Sequence, residues 1–217
     1  MPSSERTPAG TRAVARESVA YQSLKTVYHA CRSAPDRLLH RRRHRAALDR
    51  LAALGAPRSI LVVCHGNICR SPYLAAVLER DLSGVAVSSG GFVGAGRPVP
   101  ENSRIACGHR GIDMTHFRSR PVSARMARGV DLVIVMDATQ RARMVDLLKV
   151  SAERVIVAGD LDPDPAPTRG IVDPWMRPLD VFESSFDRLD RCAATIVSAL
   201  GRTLTQSAAA DCVSSAG

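Results

Sequence analysis

Aromatic side chains are scarce in this sequence: four Phe, three Tyr and one Trp among 217 residues. A core of any size must therefore be built from Ala, Val, Leu and Ile. With 45% hydrophobic residues there are enough of them for one α/β domain and an appended segment. Long apolar runs are missing as well. No stretch comes near the ~20 consecutive apolar residues that a membrane-spanning helix needs. The first 30 residues carry scattered charges in place of a signal-peptide core. We therefore expect a cytoplasmic protein without a membrane span. Six cysteines, at positions 31, 64, 69, 107, 192 and 212, include no CxxC pair and no Cys/His zinc spacing. That argues against a disulfide scaffold and a zinc module, fits a reducing compartment, and leaves no metal or cofactor to expect.

The net charge of +9 is unevenly placed. Residues 1–57 hold 11 Lys/Arg and 4 Asp/Glu, leaving 19 and 17 for the remainder. The basic character belongs to the N-terminal segment and is densest at His40-Arg41-Arg42-Arg43-His44-Arg45. One reading of 37–50 is a solvated helix face. The other is a docking patch for an anionic partner such as a membrane surface or an acidic protein. No aromatic residue interleaves the run, so base stacking has no platform and nucleic acid is disfavoured.

The stretch that organises the chain is Cys64-His65-Gly66-Asn67-Ile68-Cys69-Arg70-Ser71-Pro72. The apolar run Ser59-Ile60-Leu61-Val62-Val63 before it reads as a buried parallel strand. Tyr73 to Arg80 after it reads as a helix, with Ser71 as its N-cap and Pro72 at its first position. A tight strand-to-helix loop of this kind aims backbone N–H groups and a helix N-terminus at one point, which suits a dianion. A helix N-terminus and a nearby cation both favour thiolate over thiol. Cys64 is thus placed as a nucleophile, Arg70 as a bidentate grip on phosphate oxygens, and the Ser71 hydroxyl as a donor to the Cys64 sulfur.

Elsewhere the pattern alternates strand and helix. We expect strands at 85–89, 131–136 and 154–158 and helices at 101–110, 138–149 and 181–200. Together with the first strand this predicts a doubly wound four-stranded parallel sheet with helices on both faces. Ligands in such sheets bind beyond the strand C-termini, where Cys64 falls. The expected organisation is a basic, partly helical or disordered extension over 1–57, a domain over 58–202, and a flexible tail over 203–217.

A thiolate attacking a phosphate ester needs an acid to protonate the leaving oxygen. Asp160, Asp162, Asp164 and Asp173 compete for that role on residues alone, all lying in a proline-rich loop region. The alternation of Asp and Pro over 160–167 is also compatible with turn chemistry or a hard-cation site.

The loop from Val63 to Pro72 resembles the signature of the low-molecular-weight protein tyrosine phosphatases, and Asp173-Pro174-Trp175 resembles that family's general-acid motif. The resemblance covers residues 58–202 and implies Asp173 as general acid/base. It also implies a metal-free cysteinyl-phosphate route and loop residues His65, Gly66, Asn67, Ile68, Cys69 and Ser71 around the phosphate. Trp175 would line the slot for the phosphotyrosine ring, with Phe92 on the opposite wall. Asn67 would hold the loop in shape, with Ser89 and His116 as its hydrogen-bond partners. Cys69 would be able to form a reversible disulfide with Cys64. The implied substrate is a tyrosine-phosphorylated protein, a bacterial tyrosine kinase or one of its substrates. Two other readings stand beside it. A thiol-dependent arsenate reductase shares the loop, but relays its disulfide through downstream cysteines and lacks the Asp-Pro-aromatic acid. A non-catalytic, phosphate-dependent docking protein would rest on the basic extension.

Overall fold

The computed structural model describes residues 36–214, with side chains through residue 201. The expectations for residues 1–35 lie outside that range. A helix, α1, covers 36–54. It is followed by β1 (Ser59–Cys64), α2 (Arg70–Asp81), β2 (Ala86–Gly91), α3 (Glu101–Gly108), α4 (Ala124–Arg128), β3 (Leu132–Val135), α5 (Ala138–Asp146), β4 (Val155–Val157) and α6 (Leu179–Ser214). The four strands form one parallel sheet in the order β2-β1-β3-β4. This is the expected doubly wound architecture. β1 is a central strand, so its C-terminal end opens between β2 and β3.

The sheet's inner strands are buried on both faces because β1 from Ile60 on, β3 and β4 are apolar at every position. Along β1, Ile60, Val62 and Cys64 face one core cluster and Leu61 and Val63 the other. β3 divides the same way, with Leu132 and Ile134 opposite Val133 and Val135. Each fully buried aliphatic contributes about 1.5–3 kcal/mol. Phe182, Phe186, Leu189 and Ile196 of α6 fill the larger cluster together with Leu74 and Leu78 of α2. Tyr73 stacks on Phe186 at 4.1 Å between ring centroids.

Three boundaries differ from expectation. The five-residue helix α4 is too short to show a period, and its capping Ser123, which accepts from Met126 N, is its main local signal. α6 runs on to Ser214, where a tail was expected after Gly201. Residues 202–214 contain neither proline nor glycine to stop it. α2 begins at Arg70 with Cys69 in the cap position and no side-chain cap. Ser71 and Pro72 therefore lie inside the first turn.

α1 belongs to the same core. Ala47 and Leu51 are 2% and 1% exposed and join the larger cluster. Its N-terminal Asp36 accepts the backbone N–H of Arg169 at 3.0 Å, and His44 Nδ1 lies 2.9 Å from the Asp160 carbonyl. Arg37, Arg41, Arg42 and Arg45 remain on its exposed side. No helix among the described residues is long and apolar enough to cross a membrane.

Candidate active site

Beyond the C-terminal end of β1 the chain turns sharply to reach α2. Asn67 carries the turn with φ of 51°, a left-handed conformation that asparagine tolerates better than most residues. Its side chain fixes the loop from within. Asn67 Nδ2 donates to Ser71 Oγ and to Ser89 Oγ, both at 2.9 Å, and Oδ1 accepts the Arg120 N–H at 2.9 Å. Ser89 is thus the partner expected. His116 is not: it is exposed on the surface, and the Arg120 backbone amide, four residues on, takes the position assigned to it. A backbone donor carries no residue signature, so nothing in the sequence marked Arg120.

Cys64 is 2% exposed at the floor of the loop. Its sulfur accepts the Asn67 N–H at 3.2 Å and the Ser71 O–H at 3.0 Å. Both bonds are stronger to a thiolate than to a thiol. Because Ser71 turns its hydroxyl to the sulfur, it cannot cap α2. The uncapped N–H groups of the helix entrance stay available to an anion at the loop.

Arg70, 3% exposed, reaches across the loop mouth. Nη1 donates to the Ile171 carbonyl at 2.9 Å and Nη2 to Asp173 Oδ2 at 2.5 Å. Arg70 Nε is buried without a partner among the described residues, and so is Nε of Arg97. Both arginines line one pocket with Cys64, His65, Gly66, Ile68, Cys69, Val93, Asp173 and Trp175. Two buried guanidinium donors without a partner beside the Cys64 loop are a physical signature of an oxyanion site, because buried donors are otherwise almost always satisfied.

Arg97 is a site residue that sequence reasoning missed. Its Nη2 donates to the Gly66 carbonyl at 2.8 Å and to the Val93 carbonyl at 3.1 Å, clamping the loop from above. The only local sign was its position at the end of a glycine-rich segment. Phe92 was assigned to the pocket wall and does not form it. Phe92 stands in the bend after β2 with its ring packed against the smaller core cluster and Arg143 3.9 Å above it, while its neighbour Val93, 38% exposed, lines the pocket. Trp175, 52% exposed, stands on the other wall as expected.

The competing aspartates separate cleanly. Asp160 is held by Arg169 through two bonds at 2.8 and 2.7 Å. Asp162, with no exposed side-chain surface, accepts from Arg188 Nε and from Arg191 Nε and Nη2 at 2.9–3.0 Å. Burial pushes its carboxyl up, and the hydrogen bonds from Arg191 and Arg188 outweigh that and hold it below the usual carboxylate range. Asp164 lies 3.6 Å from Arg191 at the surface. Only Asp173 lines the pocket, with a side chain 45% exposed. Arg188 Nη1 also donates to the Gly170 carbonyl at 2.8 Å, so the internal ion pairs brace the segment that delivers Asp173.

Cys69 is a buried free thiol, as are Cys64, Cys107 and Cys192. Burial, together with the nearby charges of Cys64 and Asp173, pushes the Cys69 thiol well above its usual value. Burial also pushes Cys107 up to about 12. Neither is a nucleophile near neutral pH.

Comparison with known proteins adds the following. The family model described as low molecular weight phosphotyrosine protein phosphatase matches residues 59–206. The chain is 32% identical over 136 residues to the probable low molecular weight protein-tyrosine-phosphatase EpsP of Ralstonia nicotianae, covering 62% of this chain and 90% of that one. Among solved structures it is similar to the Erwinia amylovora tyrosine phosphatase AmsI, with TM-score 0.61, 28% identity, and coverage of 66% and 93%. It is also similar to the YwlE arginine phosphatase from Geobacillus stearothermophilus, with TM-score 0.63, 25% identity, and coverage of 69% and 97%.

Proposed function

The chain belongs to the low molecular weight phosphotyrosine protein phosphatases, and from that membership we propose that it hydrolyses phosphotyrosine in proteins through a phosphate held covalently on Cys64. The Cys64 thiolate attacks phosphorus in line with the ester oxygen. The P–O bond breaks and Asp173, as the carboxylic acid, gives its proton to the departing phenoxide. A water then attacks the cysteinyl-phosphate while the Asp173 carboxylate accepts its proton. The S–P bond breaks, phosphate leaves, and the Ser71 hydroxyl stabilises the returning thiolate. Arg70 and the loop amides hold the equatorial oxygens as charge develops on them. Neither step calls for a metal or cofactor.

The observation that carries this reading is the Arg70 guanidinium, which links the nucleophile's loop to the Asp173 carboxylate across one pocket. The pocket's apolar lining of Ile68, Val93 and Trp175 favours an aryl ring over the charged guanidinium of a phosphoarginine. Asp173 is the one carboxylate among the lining residues, and it is paired with Arg70. Tyrosine-phosphorylated proteins, with bacterial tyrosine kinases or their substrates foremost, are the substrate class we infer. An arsenate reductase would need accessible relay cysteines, whereas among the described residues the cysteines outside the loop, Cys107 and Cys192, are buried on helices.

The test is p-nitrophenyl phosphate hydrolysis in EDTA by wild type, Cys64→Ser and Asp173→Asn, with a phosphotyrosine and a phosphoarginine peptide alongside. Wild type should turn over without metal and prefer phosphotyrosine. Cys64→Ser should be inactive, and Asp173→Asn should lose about 10²–10⁴-fold in kcat. An inactive wild type that still binds phosphate would remove the enzymatic reading and leave phosphate-dependent docking.

A further inference from the structure

Next to the phosphate pocket, and sharing His65, Arg70 and Asp173 with it, lies a second depression completed by Asp137, Thr139, Gln140, Arg143 and Ile171. The two walls differ in chemistry: the first pocket is closed by Ile68, Val93 and Trp175, the second by polar side chains from the cap, first turn and last turn of α5. Because they are contiguous, a polypeptide that places a phosphorylated side chain in the first can lay a neighbouring residue over the second.

The charged groups of the second depression are not equally available. Asp137 is engaged as the cap of α5: Oδ1 accepts Gln140 N and Oδ2 accepts Gln140 Nε2, both at 2.8 Å. Gln140 in turn accepts Met136 N through Oε1 at 3.1 Å. Asp173 pairs with Arg70. Arg143 is the exception. Its guanidinium lies over the Phe92 ring at 3.9 Å, and no carboxylate among the described residues pairs with it. Phe92 is itself fixed to the phosphate loop, since its N–H donates to the His65 carbonyl at 2.8 Å. A cation is therefore held in place on an aromatic platform tied to the catalytic loop, with its donors unspent. Such a fixed, half-buried guanidinium loses little freedom on meeting a carboxylate, which makes the bidentate pair productive.

We propose that Arg143 forms a substrate subsite that takes an acidic side chain adjacent to the phosphotyrosine, and that Phe92 positions it. This rests on the phosphotyrosine phosphatase reading above. The experiment measures kcat/KM for three phosphotyrosine peptides that differ only in the residues flanking the phosphotyrosine: Asp/Glu, Ser/Ala or Lys/Arg. p-Nitrophenyl phosphate is included with wild type as a substrate that cannot reach Arg143. The readout is the ratio between peptides within each protein, which removes differences in active fraction. Wild type should prefer the acidic peptide over the neutral one by about tenfold, a preference that weakens with added salt. Arg143→Gln should reduce the ratio to near one, Arg143→Lys should keep part of it, and Arg143→Glu should invert it in favour of the basic peptide. Phe92→Leu, which keeps the charge but removes its platform, should lower the ratio while leaving a residual salt-dependent preference. A wild type that cleaves p-nitrophenyl phosphate and all peptides equally, or an acidic preference that survives Arg143→Glu, overturns the subsite and leaves the phosphatase reading intact. A wild type inactive on every substrate overturns both.

Discussion

Adding one methyl group at Gly91 should cripple the site without touching any reacting atom. Gly91 ends β2 directly beneath the phosphate loop. A Cβ built on it would lie 2.7 Å from Asn67 N, 2.9 Å from Asn67 Cβ and 2.9 Å from the Gly66 carbonyl carbon. All three belong to the loop, two of them to its backbone, so no flexible side chain can swing away. Reaching ordinary contact at 3.4 Å requires the loop or the strand end to retreat by about 0.7 Å. The strand end is held, because Gly91 N donates to the Arg120 carbonyl and Gly91 O accepts Val122 N. The loop is held too, through Asn67 to Ser71, Ser89 and Arg120. The strain falls on Asn67 N, the donor to the Cys64 sulfur. A displacement approaching 1 Å at a reacting centre costs about 10² in rate, and overpacking a close contact costs about 1–3 kcal/mol of stability. Gly91→Ala should therefore lose about 100-fold in kcat/KM for p-nitrophenyl phosphate and melt about 3–10 °C lower. Gly90→Ala is the control, since the nearest atoms to its Cβ belong to Val122, at 3.3 Å and beyond, and not to the loop. It should keep most of the activity. If Gly91→Ala matches wild type in both rate and melting temperature, the argument for a loop clamped from below is wrong.

Two further outcomes follow from the hydrogen bonds around the sulfur and from the internal ion pairs of Asp162. Ser71→Ala removes the hydroxyl donor to the Cys64 sulfur while Asn67 Nδ2 keeps Ser89, so kcat should fall about 10- to 100-fold with little loss of stability. Ser71→Thr should restore part of the rate, and an Ala variant within twofold of wild type would mean the bond does not matter. Asp162→Asn leaves Arg188 and Arg191 without their buried carboxylate and should cost about 3 kcal/mol, discounted because Arg191 is 40% exposed. The folded-state pKa of Asp162 lies below its unfolded value. Its stabilisation is therefore full above about pH 4 and is lost as pH falls through the folded value. Thermal melts from pH 7 down to 3 should show wild type losing stability faster than Asp162→Asn below about pH 4. Parallel curves would show that Asp162 contributes nothing to acid sensitivity.

The parts of the molecule that could be read in advance are those in which cause and effect lie close together in the chain. Ile60 to Val63 are apolar at every position, and that alone places β1 in the interior of a sheet. The nine residues from Cys64 to Pro72 carry their own turn, nucleophile and cation. Asp173 was different: four aspartates in one loop region look alike, and resemblance selected it. The structure separates them by the arginines that Asp160 and Asp162 meet, up to 29 positions away in the chain. Ser71 illustrates a local rule overridden by a nearby demand, since its hydroxyl is drawn to the sulfur and not to the helix amides. Phe92 and Val93 exchange roles across one position of the bend after β2, which sends one side chain to the core and the other to the pocket. Arg97, Arg143 and the Arg120 amide act through contacts that no spacing rule encodes.

Inheritance and mechanical integrity have different boundaries in this chain. The family match begins at residue 59, yet α1 ahead of it inserts Ala47 and Leu51 into the shared core. It also fastens the acid-bearing loop at two points, Asp36 to Arg169 and His44 to Asp160. The positions joined run in opposite order along the two segments, 36 to 169 and 44 to 160. α1 therefore acts as a splint on the segment that follows β4. A chain trimmed to the inherited portion would keep every reacting group and lose the splint. It would bare the apolar core surface that Ala47 and Leu51 close, which invites association with other chains, and would release the far end of the loop from which Asp173 projects.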